Sequence, residues 1–347
     1  MEILDNPFRA AGPLAPEAPY PSTDEGAVER LLARCPAAKE TPLHQSENLV
    51  PGAKLWLKDE RARMGLGSFK ALGAAYVIAC DAAATSDEPG PSTLAGRTYI
   101  TASAGNHGMS VAAGAGIFGA RSVVYIAETV PEVFARRLQE KGAEVRRKGR
   151  DYAASMAAAS KAAEAGEGIL LSDSSWAGYT EIPHRLMEGY LAMAAEAARQ
   201  VPKVPTHVLL QAGVGGLAGA VAAYVRKVWG NAPRVIVVEP EAAPALQASI
   251  RAGKAVFADG PDSIMGRLDC KEPSLIALNG LARDADAFLT LTDAEVERVL
   301  PRLAAAGFGT TASGGAGAAA ALLDDARALC GIGPGSRILA FLSEQAE

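Results

Sequence analysis

From residue 97 to residue 342 the chain alternates between short aliphatic runs and longer, Ala-rich amphipathic stretches. The short runs fall at 97–101, 121–126, 143–147, 168–172, 206–211, 234–239, 287–291 and 337–342. Strands separated by helix-length segments return in the same direction, so this alternation predicts an α/β fold with mostly parallel sheets covered on both faces. The Ser-, Pro- and Gly-bearing stretch 85–96 breaks the rhythm and marks a domain boundary. The amphipathic run 184–200 brings the chain back. The expected organisation is a large domain of residues 1–85 and 195–347 with a smaller one, 86–194, inserted between them.

Outside the alternation the signals are local. Residues 1–20 are rich in Pro and Ala and read as an extended arm. Ser22 to Glu25 has capping-box spacing ahead of a first helix. Residues 54–58 alternate like a strand. The chain has 347 residues, a formal charge of -5 and a pI near 5.6, which argues against a nucleic-acid or anionic-membrane partner. No apolar run reaches the length of a membrane span, and the first residues lack a basic segment followed by an apolar one, so a cytoplasmic protein is expected. The cysteines (Cys35, Cys80, Cys270, Cys330) are scattered, without metal-ligand spacing, and read as reduced structural thiols.

Three stretches carry residues suited to chemistry. Lys70 follows Gly65-Leu-Gly67-Ser-Phe69 and precedes the Ala-rich run 71–82, which places an amine near the first turn of a buried helix. Burial would lower its pKa, as a Schiff-base lysine requires, although a lone lysine there is more commonly a surface residue. Ser103-Ala104-Gly105-Asn106-His107 lies between a strand and a helix and offers backbone N–H groups to a carboxylate. Gly213-Val214-Gly215-Gly216-Leu217 also joins a strand to a helix, where free N–H groups and the helix dipole bind phosphate. Gly213-x-Gly215-x-x-Ala218, with Glu239 closing the next strand, is also a formal dinucleotide fingerprint. A nicotinamide reading leaves Lys70 and Asn106-His107 without roles. Pyridoxal 5'-phosphate (PLP) uses both, with the amine at its aldehyde carbon and the loop at its phosphate.

Further strings carry a family resemblance. They are Lys58-Asp-Glu-Arg61, Gly105-Asn-His-Gly108, Asp173 with Trp176-Ala-Gly-Tyr-Thr-Glu-Ile-Pro183, Leu209-Leu-Gln-Ala-Gly-Val-Gly215, Val238-Glu-Pro240 and Gly266-Arg-Leu-Asp-Cys270-Lys-Glu-Pro273. Over about residues 41–343 the chain resembles fold-type II PLP enzymes, within the superfamily of tryptophan synthase β and threonine dehydratase. Within that type it resembles the 2,3-diaminopropionate ammonia-lyases. The resemblance implies two three-layer α/β/α domains with the cofactor in the cleft between them. It implies Lys70 as the lysine joined to PLP, with Phe69 beside it, and Asn106 on the ring hydroxyl. Residues Gly213, Val214, Gly215, Gly216 and Leu217 would hold the phosphate, and Ser343 would face the pyridine nitrogen. The loop Ser103, Ala104, Gly105, Asn106, His107 would take the substrate carboxylate. Asp173 would be an acid/base residue, although an Asp capping the turn before Trp176 fits the sequence as well. A homodimer is implied, and no metal.

The reaction so implied is β-elimination from an amino acid, giving pyruvate and ammonia. A neutral hydroxyl opposite the pyridine nitrogen favours elimination over transamination. Three departures bear on the substrate. Ala104 stands where the lyases carry an aspartate that serves the D-substrate, which predicts L-selectivity and brings the loop close to that of serine and threonine dehydratases. Gly315 stands where a Glu is usual. The chain ends in Ser343-Glu-Gln-Ala-Glu347 in place of a Gly-containing loop. A serine, threonine or 3-hydroxyaspartate dehydratase, or a PLP-binding homologue with little turnover, are the alternatives.

Overall fold

Parallel strands covered on both faces must be apolar at consecutive positions, and the central strands of this chain are. A computed structural model describes residues 1–346. In chain order the strands are β1 (Glu2–Asp5), β2 (Leu43–Ser46), β3 (Lys54–Asp59), β4 (Thr98–Ala102), β5 (Arg121–Ile126), β6 (Glu144–Arg147) and β7 (Ile169–Leu170). They continue with β8 (His207–Gln211), β9 (Arg234–Pro240), β10 (Ala287–Leu291) and β11 (Arg337–Leu342). β4 to β7 form a parallel four-stranded sheet in the order β6-β5-β4-β7. The others form a seven-stranded sheet, β1-β10-β9-β8-β11-β3-β2, antiparallel only at its two edges. Successive residues of its central strands serve opposite faces: Val235 and Val237 join one apolar cluster, Ile236 and Val238 the other.

Several local expectations change. The N-terminal arm is docked: β1 adds an edge strand to the sheet by pairing with β10, and the Asn6 amide donates to the carbonyls of Leu281, Ala282 and Ala285 at a helix end. This pairing joins residues far apart in sequence, so local composition cannot show it. The cap of the first helix, Glu25–Leu32, is Asp24, while the Ser22 hydroxyl donates to Glu188 instead. The run 184–200 is two helices, Glu181–Gly189 and Leu191–Gln200, which part at Tyr190. Lys70 sits in a 3-10 turn, Phe69–Leu72, ahead of the helix Ala74–Thr85 rather than within it.

The topology brings the chemistry-bearing loops to one rim. β11 lies between β3 and β8, so the segments leaving all three at their carboxyl ends are neighbours. These segments carry Lys70, Ser343 and the Gly213–Leu217 loop. Ligands of open parallel sheets bind at this rim.

Candidate active site

The turn of Lys70 is set from upstream. Met64, Gly65 and Gly67 have positive φ (52°, 68° and 78°), which reverses the chain after β3. Beneath it lies a buried ionic cluster: Arg63 to Glu60 and Glu196, both at 2.7 Å, and Lys58 to Glu196 at 2.6 Å. Two cations face two anions, so the cluster is neutral, and Thr41 and Gln200 supply further hydrogen bonds. Buried charges persist only when paired in this way. The Ser68 hydroxyl then accepts the Lys70 N–H at 3.1 Å and opens the 3-10 turn.

The Lys70 amine points into the cleft and donates to Asp173 Oδ2 at 2.5 Å. It lies 5.2 Å from the centre of the Phe69 ring and 5.9 Å from that of Tyr190, rings that pack on each other at 4.9 Å. Burial pushes the amine down, as the sequence suggests, but the Asp173 carboxylate more than reverses this, and the net shift is well above the ordinary lysine range. The expected depressed lysine is therefore absent while Asp173 is its partner. Asp173 responds in kind: burial pushes it up, but the Lys70 ammonium holds it well below the usual carboxylate range.

Asp173 owes its place to the Trp176–Tyr179 segment. The rings of Trp176 and Tyr179 stack at 4.3 Å. The Tyr179 hydroxyl accepts the Ser172 N–H at 3.0 Å and donates to the Leu170 carbonyl at 2.8 Å, which pins the chain just ahead of Asp173.

His107 enters from the helix Asn106–Ile117. Its Nε2 lies 2.8 Å from the Leu171 carbonyl, which assigns the proton to that nitrogen. Burial holds the ring below the ordinary histidine value, so it is neutral, and Nδ1 is buried without a partner. Asn106, the first residue of this helix, donates its side-chain amide to Glu344. Ser103 and Gly105 close the turn through a 3.2 Å bond from the Gly105 N–H to the Ser103 hydroxyl. Ala104 contributes only a methyl group, packed on the apolar layer under the small sheet.

The Gly loop leads into the helix Gly216–Trp229. Gly215 has φ +100°, and a Cβ there would lie 2.8 Å from Ala277 Cβ. At Gly213 a Cβ would lie 3.0 Å from Cys270 Sγ and 3.1 Å from the Arg267 carbonyl. The loop is thus bare because protein closes over it. The first helical bond runs from the Gly219 N–H to the Gly215 carbonyl, which leaves the N–H groups of Gly216, Leu217 and Ala218 outside the helical ladder. Ser343, 5% exposed, follows β11; its N–H donates to the Gly314 carbonyl and its carbonyl accepts the Phe69 N–H.

The dinucleotide reading loses its acidic residue. Glu239 is fully buried and its two oxygens accept the N–H groups of Leu246 and Gln247, both at 2.8 Å. Fully buried and turned onto a helix end, the carboxylate is closed to a ribose. A phosphate cradle, an amine and two buried polar atoms without partners (His107 Nδ1 and the Tyr190 hydroxyl) instead suit a phosphate-bearing aldehyde cofactor.

Several residues of the site escape sequence reasoning. The carboxylate beside Asn106 comes from Glu344, whereas a Cβ at Gly315 would face Thr310, Leu300 and Leu303. Cys270 lies beside Gly213, close enough to Asp173 and Lys70 to feel their charges, and burial pushes its thiol up to about 11. Only the position of Cys270 in Gly266–Pro273 could have flagged it.

Residues 35–344 match the family described as pyridoxal-phosphate dependent enzyme. The chain belongs to that family. Its cofactor is pyridoxal 5'-phosphate. Among curated proteins of the family, a diaminopropionate ammonia-lyase of Salmonella typhimurium strain LT2 is 34% identical over 73% of this chain and 69% of its own length. The Escherichia coli K12 diaminopropionate ammonia-lyase is 33% identical over 71% of this chain and 65% of its own. The chain therefore spans about two thirds of these relatives. A crystal structure of the E. coli enzyme, in complex with an aminoacrylate-PLP azomethine reaction intermediate, superposes with a TM-score of 0.84 at 28% identity, covering 99% of this chain and 93% of that one.

Proposed function

We propose that this enzyme eliminates the β-substituent of an L-amino acid, with 2,3-diaminopropionate as the substrate that fits best, and that pyruvate and ammonia are the products. The observation that carries the reading is the Lys70–Asp173 pair at 2.5 Å in a cleft with a phosphate cradle. Bound PLP supplies an electron sink for the pair of electrons left on Cα. Everything else falls to side chains of this chain. Lys70 removes the Cα proton once its own has gone, and Asp173 is the nearest group able to stabilise or release it. With Lys70 engaged elsewhere, the Asp173 carboxylate is left to pair with a β-ammonium, the feature that separates diaminopropionate from serine. Neutral His107 adds an acceptor, Nδ1, without adding charge. Ser103 to His107 supply N–H groups for the substrate carboxylate. Ser343 offers the pyridine nitrogen a hydroxyl rather than an anion.

Ala104 carries no acid for the opposite face of Cα, so turnover should favour the L-isomer. The test is ammonia and pyruvate release from L- and D-2,3-diaminopropionate, L-serine and 3-hydroxyaspartate, with Lys70→Ala as control. Release from L-diaminopropionate above all others is the expected result. Preference for a hydroxy substrate would make the enzyme a dehydratase, and equal rates with both isomers would sink the selectivity. The protein is further proposed to be a cytoplasmic homodimer in which residues 86–194 close over the substrate. Light and X-ray scattering read the first as two chains and the second as contraction on adding substrate.

A further inference from the structure

After β11 the chain pairs with the turn that carries Lys70. The Gln345 N–H donates to the Gly67 carbonyl at 2.9 Å, and Ser68 and Glu344 form an isolated antiparallel bridge. The pairing turns the Glu344 side chain inward, where the residue is 4% exposed. Its carboxylate gathers three elements. Oε1 accepts from the Thr311 hydroxyl, and Oε2 accepts from the Asn106 amide and from Arg267 Nε at 2.8 Å. The Thr310 hydroxyl holds the Glu344 carbonyl at 2.6 Å. Bare backbone makes room for it: a Cβ at Gly314 would lie 2.8 Å from Glu344 Cγ.

An amide side chain has a donor end and an acceptor end, whereas a carboxylate only accepts. Glu344 therefore decides which way Asn106 is flipped. The NH2 end faces the carboxylate, one of its two N–H bonds is used there, and the other is left for an acceptor oxygen in the cleft. We infer that Glu344 is a positioning residue for the cofactor: it sets the Asn106 amide so that its remaining N–H meets the ring hydroxyl oxygen of PLP. This rests on the reading of the cleft as the PLP site.

The test is a double-mutant cycle read as the dissociation constant for PLP, from the visible absorbance of the reconstituted full-length protein. Glu344→Ala and Asn106→Ala should each weaken binding about tenfold, and together about tenfold rather than the hundredfold of independent sites. Glu344→Gln keeps an acceptor oxygen and should stay within about threefold of the parent. The thermal midpoint of each apo-protein is measured alongside; if Glu344→Ala loses its fold, Glu344→Leu, which fills the volume, takes its place in the cycle. Multiplying effects, or a Glu344→Ala protein that binds PLP like the parent, overturn the inference. A parent protein that binds no PLP overturns the cofactor reading instead.

Discussion

At the scale of single residues, the site turns on how Lys70 and Asp173 share a proton. Burial alone would drive the lysine down and the aspartate up, and their 2.5 Å contact reverses both. The aspartate's contribution to stability is present above its unfolded pKa of about 3.9 and is lost as pH falls through its lower folded value. The lysine's is present below about 10.4 and is lost as pH rises through its higher folded value. The pair should thus stabilise the apo-protein by a constant amount from about pH 5 to 9 and less outside that window. Asp173→Asn removes the anion and keeps the shape, so burial acts on Lys70 unopposed. The pH midpoint for chemical modification of Lys70 should then fall below that of the parent, and ammonia release should drop at least tenfold, on the order of general acid–base effects. An unmoved midpoint would mean that Asp173 does not govern the lysine. Sequence spacing offers Lys70 as a candidate amine, and the family resemblance offers Asp173 as an acid/base residue beside the reading of a turn cap. Neither shows their contact, because 103 positions separate them and only the fold joins them.

At the scale of elements, strands and their loops were legible and their caps were not. Local spacing offers two readings of the Gly213–Leu217 loop, and the one with Glu239 on a ribose falls because Glu239 caps the helix Ala245–Ala252. The first helix shows the same limit. Ser22 to Glu25 satisfies the capping pattern, yet Asp24 makes the cap because Ser22 is taken by Glu188 from another helix. Gly215 is the point where this element can be tested. Its φ of +100° and the 2.8 Å approach to Ala277 leave an alanine both strained and crowded. Gly215→Ala should cost about 1–3 kcal/mol of stability and should weaken PLP binding more than that loss explains. The checks are a thermal melt and a PLP titration. A variant with parental PLP affinity would show that the loop is not the cradle.

At the scale of the whole molecule, alternation of strand and helix predicted parallel sheets, and there are two, of seven and four strands. What alternation does not encode is strand order. Order places β11 between β3 and β8, and with it Ser343 and Glu344 beside the Lys70 turn and the Gly loop. The docking of the N-terminal arm is hidden for the same reason, since β1 closes the far edge of the sheet by pairing Ile3 with Leu289, at the other end of the sequence. The central claim is that this assembly exists to hold one aldehyde against one amine. Borohydride reduction of the PLP-loaded protein followed by peptide mass mapping tests it most directly. The account predicts a single phosphopyridoxyl group, on Lys70, and none on the Lys70→Ala protein. A label on another lysine, or no label on the parent, would contradict it.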